Sequence, residues 1–456
     1  MNSTLHRITE ALGPDAQLSV VGGTVRDRLL GRPGGDCDLA TALLPEQVMD
    51  RARAAGLRTI PTGLQHGTIT LVEGGKPFEI TTFRGDGAYL DGRRPETVTL
   101  GVPLEEDLAR RDFTINAMAL PADALDRPDW QAFLVDPHGG RRDLEAGLIR
   151  AVGDPMLRFA EDGLRALRAC RFSAQLGFGI EPATLAAIPR CLEVAGKVAV
   201  ERVLVELTKL LCGPEPERGL TALAGTGLLD LWLPELRPMI GCGQNRHHCF
   251  PVWEHMLEVI RRVPAEPDLR WAALLHDSGK PGARTVGERG EVHFYGHELR
   301  SEVLAQDILA RLRASHALAR RVGALVRHHG THPGPDWGDG ACRRFLKRLR
   351  EDDLPLERWA AFRLADQAGK GFDAEPVQVA HQAILTRLEA LAAGDPPLAI
   401  QALALDGRAL MALAGRPGGP WMGRLQQVLL EAVLDDPALN APGPLGDLAR
   451  GWLETN

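Results

Sequence analysis

The chain has 456 residues, of which 44% are hydrophobic and 25% charged, and a formal net charge of −7. This composition is typical of an ordinary globular protein, and no apolar run is long enough to predict a membrane span. The negative net charge excludes a uniformly basic protein, so any RNA site must depend on local positive charge. Scattered cysteines without a CxxC pair and an N-terminus without a signal-peptide pattern predict reduced thiols and a cytoplasmic location.

Short segments rich in β-branched residues and bounded by glycines, such as QLSVVGG, GTITLVEGG and FEITTFR, predict strands in residues 1–147. Helical patterns interrupt these strands. From residue 148 onward, apolar residues recur at helical spacing, as in FAEDGLRALRACRFSAQLGF and ERVLVELTKLL. We therefore predict an α+β protein with a small mixed-sheet head and an elongated all-helical remainder. Its parts are expected at 148–238, 239–372 and 373–456.

The stretch VVGGTVRDRLLGRPGGDCDLA combines a glycine pair with two aspartates. Gly22 and Gly23 would let the backbone approach phosphate oxygens, and Arg26 would add a forked cation. If GDCDLAT enters a strand, Asp36 and Asp38 point to the same side, where they repel each other unless cations lie between them. Mg²⁺ takes such oxygen ligands and shares them with substrate phosphates. The stretch therefore predicts a site for magnesium and a triphosphate, although a plain turn is the alternative for each motif alone.

A second polar cluster, EEDLARRDFTINAMAL, places two arginines beside an aspartate. Arg110 and Arg111 suit the recognition of a triphosphate. Asp112 could accept a hydrogen bond from a sugar hydroxyl or could fix an arginine. A surface cluster of salt bridges is the alternative.

These two segments resemble the GGxVRDxLLG…DxDxxT and RRDFTxNAxA motifs of the class II polymerase-β-like nucleotidyltransferases. That family includes the CCA-adding tRNA nucleotidyltransferases and the bacterial poly(A) polymerases. The resemblance implies that Asp36 and Asp38 bind catalytic Mg²⁺ and that Glu79, on the strand FEITTFR, is a third acidic group. The nucleotide contacts that it implies in the head are Gly22, Gly23, Arg26, Arg110, Arg111, Asp112 and Asn116.

The segment FAEDGLRALRACRF begins the helical region. Asp162 and Arg165 are three residues apart and would share one helix face, where an ordinary ion pair is the alternative to a functional site. The segment resembles the EDxxR element with which the same family reads the incoming base. Cytosine and adenine both present an amino donor next to a ring-nitrogen acceptor, which a carboxylate and a guanidinium match, whereas uracil and guanine do not. Glu161 would hold Arg165 in place.

Further arginines extend this basic region. Arg168 and Arg171 would continue the helix face toward the nucleotide and the RNA phosphates. The segment RGDGAYLDGRRPETVTLG, with Arg93 and Arg94, resembles the flexible loop of CCA-adding and A-adding enzymes, which is shortened in CC-adding enzymes. Its full length argues against an enzyme that adds only cytidines, although a surface hairpin is the plain interpretation.

Histidines and aspartates recur in the segments VWEHMLEV, WAALLHDSGKP, HFYGHELRSE, LVRHHGTH and RLADQAGKG. Imidazoles and carboxylates together suit Ni²⁺, Mn²⁺, Fe²⁺ or Zn²⁺. The order of these groups resembles the HD phosphohydrolase superfamily, which implies hydrolysis of a phosphoester at one or two metal ions. The segment LVRHHGTH offers both His328 and the adjacent His329. The metal ligands predicted for this site are His255, His276, Asp277, His297, His328 and Asp366.

Together these resemblances predict template-independent addition of CTP and ATP to the 3′ end of tRNA, beside an HD domain that could hydrolyse phosphoesters. An A-adding enzyme that depends on a separate CC-adding enzyme is the main alternative. A poly(A) polymerase is disfavoured by the neutral to acidic tail. An HD phosphohydrolase with a degenerate RNA-binding head is disfavoured by the intact acidic and arginine motifs. We expect no membrane partner, and the oligomeric state stays open.

Overall fold

The computed structural model describes residues 2–32, 37–87, 98–245, 248–334, 336–394, 396 and 398–456. Asp36, Arg93 and Arg94 lie outside the described residues. The chain forms two compact units, Met1–Pro234 and Glu235–Asn456. The prediction of a mixed-sheet head followed by a mainly helical chain is confirmed, with two short strand pairs in the helical part.

The head contains a six-stranded mixed sheet in the order β3-β4-β5-β2-β1-β8. Strands β2 and β5 are parallel, and the other neighbours in this sheet are antiparallel. The remaining strands, β6 and β7, form a separate hairpin. The strands of the head are β1 (Ser19–Val21), β2 (Asp38–Thr41), β3 (Arg58–Gly63), β4 (Thr68–Glu73), β5 (Lys76–Thr82), β6 (Arg84–Asp86), β7 (Val98–Leu100) and β8 (Ala119–Pro121).

Alternation along the central strands separates the core from the site. Leu39 and Ile80 are buried, whereas their neighbours Asp38 and Glu79 are exposed. Leu5 and Ile8 from the N-terminal helix pack in the same core cluster as Leu39 and Ile80. The helices of the first unit are α1 (Asn2–Leu12), α2 (Gly23–Leu29), α3 (Pro45–Ala54), α4 (Leu104–Ala109), α5 (Gly140–Glu145), α6 (Pro155–Glu161), α7 (Leu164–Leu176), α8 (Pro182–Ala187), α9 (Leu192–Ala195), α10 (Val200–Leu211), α11 (Pro216–Thr226) and α12 (Leu228–Trp232).

Helix α7 is the buried centre of the helical part of this unit and packs against α10 and α11. A short parallel pair, β9 (Leu148–Ile149) and β10 (Gly179–Ile180), lies beside it. Gly219 on α11 lets the two helices approach, because a Cβ there would lie 2.8 Å from the Cys170 carbonyl oxygen. The close packing places the polar residues at the start of α7 in a fixed position.

The prediction of one helix through FAEDGLRALRAC is wrong, because the chain breaks between α6 and α7. Asp162 is extended, with φ −141° and ψ 106°, and one of its carboxylate oxygens accepts the Leu164 N–H at 3.0 Å. Gly163 lies against α9, where a Cβ would come within 2.6 Å of the Ala195 backbone. Asp162 and Arg165 therefore do not share one helix face. The break therefore coincides with a local bond to the Asp162 side chain and with the close packing of Gly163 on α9.

The second unit is helical apart from a hairpin of β11 (Thr285–Val286) and β12 (Val292–His293). Its centre is α14, whose residues Asp268–Leu275 are all buried. No helix among the described residues is both long enough and apolar enough to cross a membrane. The helices of this unit are α13 (Val252–Arg262), α14 (Pro267–Leu275), α15 (Lys280–Ala283), α16 (His297–Arg311), α17 (His316–His328), α18 (Asp339–Glu351), α19 (Leu356–Gly369), α20 (Ala374–Ala393), α21 (Gly407–Ala414), α22 (Pro420–Asp435) and α23 (Pro442–Thr455).

Candidate functional site

The glycine pair lies between β1 and α2. Gly22 has φ 68°, in the region that favours glycine, and a Cβ there would lie 2.9 Å from Nη1 of Arg111. Its N–H donates to the Met118 carbonyl oxygen at 3.2 Å. The backbone conformation of this position therefore favours glycine, and the Arg111 guanidinium packs closely against it.

Two carboxylates lie side by side on the parallel strands at the centre of the sheet. Asp38 is the register partner of Glu79, and both are exposed. They line a cavity of about 190 Å³ together with Arg84, Arg110 and Arg111. Carboxylate oxygens are the ligands that a hard divalent cation prefers, so the described residues fit such an ion.

One buried carboxylate holds both members of the arginine pair. Nη2 of Arg110 lies 2.8 Å from Oδ1 of Asp107, and Nη2 of Arg111 lies 3.1 Å from Oδ2. Burial alone would raise the pKa of Asp107, but the two guanidinium charges outweigh it and lower this pKa. Asp107 was not predicted as a site residue, although it lies one helical turn before the arginines. Its role is to fix their direction.

Asp112 is the centre of a second buried network. Its Oδ1 accepts from Nδ2 of Asn116 at 3.0 Å, and its Oδ2 accepts from Nε of Arg168 at 2.8 Å. Oδ1 of Asn116 in turn accepts from Nη1 of Arg26 at 2.7 Å. Burial opposes ionisation, but the Arg168 charge and the Asn116 hydrogen bond lower the pKa of Asp112 to about 2. Two roles were expected for Asp112, a bond from a sugar hydroxyl and the fixing of an arginine. The structure shows the second, with Arg168.

The proposed base readers bond to different partners. Nη1 of Arg165 donates to Glu161, as expected, and its Nη2 donates to the Arg110 carbonyl oxygen at 2.8 Å. Oδ2 of Asp162 accepts from Nη2 of Arg202 at 2.9 Å. The alternative of a simple ion pair between Asp162 and Arg165 therefore does not describe this site. Arg202, on the helix ERVLVELTKLL, was missed because nothing in the local pattern links it to Asp162.

Arg171 differs from its predicted position on an exposed basic face. Its side chain is 8% exposed, and its Nε donates to Oε2 of Glu206 at 2.7 Å. Burial lowers the pKa of Arg171 to about 10. Its guanidinium also lies 3.6 Å from the ring centroid of Phe172. Arg171 therefore supports the interior of the site and is not a free cation on the surface.

These residues meet at one cavity of about 460 Å³ within the first unit. This volume is within the range of small-molecule sites. Among the described residues that line it, arginines outnumber aspartates, so the cavity favours a polyanion. The charged residues of this lining are Arg26, Asp38, Arg110, Arg111, Asp112, Asp162, Arg165, Arg168, Arg171 and Arg202.

In the second unit, four predicted ligands converge on one point. His276 and Asp277 follow the buried α14, while His255 and Asp366 come from α13 and α19. Nε2 of His255 lies 3.1 Å from Oδ1 of Asp366 and 3.4 Å from Nε2 of His276. Nε2 of His276 lies 3.2 Å from Oδ2 of Asp277.

A second group shares Asp277. Nε2 of His297 lies 3.4 Å from Oδ1 of Asp277 and 3.2 Å from Nε2 of His329. Nε2 of His329 lies 3.6 Å from the same carboxylate oxygen. Oδ2 of Asp277 therefore faces His255 and His276, and its Oδ1 faces His297 and His329.

The hydrogen bonds of the four imidazoles prepare their Nε2 atoms to bind metal. In each ring Nδ1 lies 2.6–3.1 Å from a backbone carbonyl oxygen, which assigns the proton to Nδ1 and leaves a lone pair on Nε2. Among the described residues, Oδ1 of Asp277 is buried without a hydrogen-bond partner. Converging lone pairs and an unpaired buried carboxylate oxygen fit divalent metal ions. The carbonyl oxygens belong to Gly369, Ala273, Phe294 and Val326, facing His255, His276, His297 and His329 respectively.

The structure does not bring His328 into this cluster, contrary to its assignment as a ligand. Its Nε2 lies 2.6 Å from Oδ2 of Asp352, and its carbonyl oxygen accepts from the Trp359 indole at 3.3 Å. Adjacent residues on a helix point about 100° apart, so only one of the two histidines can face the cluster. His329 occupies that position.

The arrangement of both sites agrees with comparisons to known proteins. Residues 18–150 match the poly A polymerase head domain, residues 177–240 match a probable RNA and SrmB-binding site of polymerase A, and residues 246–364 match the HD domain. The CCA-adding enzyme of Geobacillus stearothermophilus is 34% identical over 436 residues, which are 93% of this chain and 92% of that protein. The A-adding tRNA nucleotidyltransferase of Deinococcus radiodurans is 37% identical over 434 residues, 91% of each chain.

A solved structure of a CCA-adding enzyme is also similar to this chain. The crystal structure of the Bacillus stearothermophilus CCA-adding enzyme in complex with CTP aligns with a TM-score of 0.70 and 30% identity, over 96% of this chain and 93% of that one. The chain therefore belongs to the class II CCA-adding enzyme family of nucleotidyltransferases and carries an HD domain.

Proposed function

We propose that this nucleotidyltransferase adds CTP and ATP to the 3′ end of tRNA in the cytoplasm, without a nucleic-acid template. One observation carries the proposal: Asp162 and Arg165 line the same arginine-rich cavity as Asp38. A base held against the first two residues would thus have its triphosphate among the arginines. The relatives support the substrate, since one is named a CCA-adding and another an A-adding tRNA enzyme.

The arginines of the cavity would bind the triphosphate. Arg26, Arg110 and Arg111 are each held by a carboxylate or an amide, so their directions are set before the nucleotide arrives. The tRNA 3′-hydroxyl attacks the α-phosphorus, the new ester bond forms, and the bond to pyrophosphate breaks. Asp36, Asp38 and Glu79 would hold Mg²⁺, which when bound neutralises the phosphate charge and polarises the reacting groups.

Base selection would depend on hydrogen-bond complementarity. Asp162 would accept from the exocyclic amino group of cytosine or adenine, and Arg165 would donate to the adjacent ring nitrogen. Glu161 and Arg202 position these two side chains. Uracil or guanine would leave buried groups unpaired, at a cost of about 1–3 kcal/mol for each group.

We further propose that residues 1–147 perform nucleotidyl transfer and residues 148–238 select the base and contact RNA. Residues 239–372 would form the HD domain, and residues 373–456 the tail. The RNA contacts predicted at Arg93 and Arg94 belong to the same proposal. Arg168 would act through its bond to Asp112.

An A-adding enzyme is the second candidate function, favoured by the similarity to the Deinococcus relative. The Asp–Arg pair serves cytosine and adenine alike, so it does not separate the two. The test is to incubate the protein with tRNA that ends at the discriminator base, or with tRNA that ends in CC, together with CTP and ATP. Completion of both supports CCA addition, and completion of only the second supports A addition. Unlimited addition of A would identify a poly(A) polymerase, and extension of neither tRNA would refute the proposal.

For the second unit we propose hydrolysis of phosphoesters. His255, His276, Asp277 and Asp366 would hold one transition-metal ion, and Asp277, His297 and His329 a second, with Ni²⁺, Mn²⁺, Fe²⁺ or Zn²⁺ as candidates. Such ions, when bound, activate water and stabilise charge on the phosphoryl group. Lys280 and Lys370 line the adjacent cavity and would bind the phosphate. The test is hydrolysis of a 2′,3′-cyclic nucleotide with added Ni²⁺ or Mn²⁺, and equal rates for the wild type and Asp277→Ala would refute it.

A further inference from the structure

The HD cluster opens into a cavity of about 280 Å³. The residues at its inner end are buried, whereas those at its mouth are exposed. Asp277 and His329, both at most 5% exposed, lie at its inner end. Tyr295, which is 79% exposed, lies at its outer end. The cavity thus connects a buried metal-binding group to an exposed aromatic ring.

The exposed ring belongs to an ordered pair. The rings of His293 and Tyr295 are stacked, with centroids 5.2 Å apart and an angle of 11° between their planes. The tyrosine hydroxyl lies 3.4 Å from Nδ1 of His293. Only Gly296 separates Tyr295 from His297 of the metal cluster. The stacked pair therefore lines the same cavity as His297 of the cluster.

Core packing does not account for this pair. A ring that is 79% exposed contributes little apolar burial, and the sequence contains only two tyrosines. The exposed ring presents a flat π surface to solvent at the entrance of the cavity. Aromatic side chains in such positions bind nucleobases by stacking, whatever the base, because every base has a π face.

The inner lining suits the other end of a nucleotide. Lys280 and Lys370 line the cavity, and Nζ of Lys280 lies 2.7 Å from Oδ2 of Asp277. A phosphate near the cluster would be within the field of both cations. The volume is slightly below the usual range for small-molecule sites, so it suits one sugar phosphate with its base at the mouth rather than a polynucleotide.

We infer that His293 and Tyr295 form a base-stacking subsite, through which the HD site selects nucleotides over phosphoesters that lack an aromatic base. The inference rests on the proposed phosphohydrolase function for its catalytic consequence. The stacking itself is a binding property and can be measured without catalysis.

The test compares the full-length wild type with Tyr295→Ala, Tyr295→Phe and the exposed control Val303→Ala. Each Mn²⁺-loaded protein hydrolyses adenosine 2′-monophosphate or glycerol 2-phosphate, and KM and kcat are measured. In parallel, binding of adenosine 2′-monophosphate is measured by calorimetry in EDTA. We expect Tyr295→Ala to raise the KM and the Kd for adenosine 2′-monophosphate about tenfold. Its KM values for the nucleotide and for glycerol 2-phosphate should then become similar. Tyr295→Phe should retain the preference for the nucleotide.

Each outcome has a defined meaning. A nucleotide Kd in Tyr295→Ala equal to that of Val303→Ala would overturn the inference. An equal fall of kcat for both substrates, with no change in the ratio of their KM values, would also overturn it, because it indicates a structural role. If the wild type hydrolyses neither substrate, the proposed phosphohydrolase function fails, and the calorimetry still decides whether the ring binds the base.

Discussion

The arginine-rich cavity of the first unit and the HD cluster of the second are both built from charged side chains, but their charges are compensated in opposite ways. In the first, carboxylates such as Asp107 and Asp112 are paired with arginines, and guanidiniums remain in excess. In the second, imidazole lone pairs converge, and Oδ1 of Asp277 accepts no hydrogen bond from the part of the chain that the structure describes. One site is prepared for an anion and the other for a cation. Their variants should therefore fail in different ways.

The largest effect is expected from Asp38→Ala, which removes a carboxylate of the proposed magnesium site. We expect tRNA extension to fall about 10³-fold, because charge stabilisation in the transition state is lost. HD hydrolysis should persist in the same protein, which separates the two sites. Single-turnover extension with CTP and ATP measures the effect, and the exposed Asp50→Ala is the matched control. Extension at the wild-type rate would contradict the assignment.

Asp277→Asn should act on the other site. The substitution keeps the size of the side chain but removes the charge that faces both histidine pairs, so we expect metal affinity and hydrolysis to fall about 100-fold. Calorimetric titration with Mn²⁺ and the hydrolysis rate measure this effect, with the exposed Asp307→Asn as control. Unaltered metal binding would contradict the assignment of Asp277 as a shared metal ligand.

Arg165→Ala should relax base selection. The variant would lose the donor proposed for the ring nitrogen and leaves Glu161 without one of its partners. We therefore expect the preference for CTP over UTP to fall about 100-fold. Competition between the two nucleotides on tRNA that lacks CCA measures the preference. The surface variant Arg218→Ala should retain it. An unchanged preference would assign base reading to other residues.

The smallest effect concerns pH. The folded-state pKa of Asp112 is about 2, below its ordinary value of 3.8, so its stabilisation is present above about pH 4 and is lost as the pH falls toward 2. The shift corresponds to about 2 kcal/mol. Asp112→Asn should therefore be less stable than the wild type at pH 6, and this difference should shrink below pH 4. Urea unfolding at several pH values measures it. A difference that does not vary with pH would contradict the role of the Asp112 charge.

Several features followed directly from sequence because they depend on local chemistry. The motif resemblance placed Asp38 and Glu79 on strands, and the structure pairs them as exposed neighbours on β2 and β5. Gly22 was recognised as a glycine needed for close approach, although the group that approaches it is Arg111. The order of histidines and aspartates predicted the cluster around Asp277, including His297 from a separate helix.

Other features depended on parts of the chain that are distant in sequence. Gly163 packs directly against the Ala195 backbone beside the break at Asp162, and no local signal contains that contact. Arg171 is buried because Glu206, on another helix, accepts its guanidinium. Arg202 donates to Asp162 because the fold brings α10 next to the break between α6 and α7, 40 residues away in sequence.

By itself the sequence determined the chemistry available to this protein: paired acids, an arginine-rich region, an Asp–Arg pair and a series of metal-binding side chains. These follow from residue identity, short spacing and strand periodicity, which the chain specifies locally. Only the tertiary structure decided which groups face each other. In the structure, His329 and not His328 lies in the metal-binding cluster. Arg171 is buried and not exposed as predicted. The reason is that the direction of a side chain depends on helix phase and on packing against distant segments.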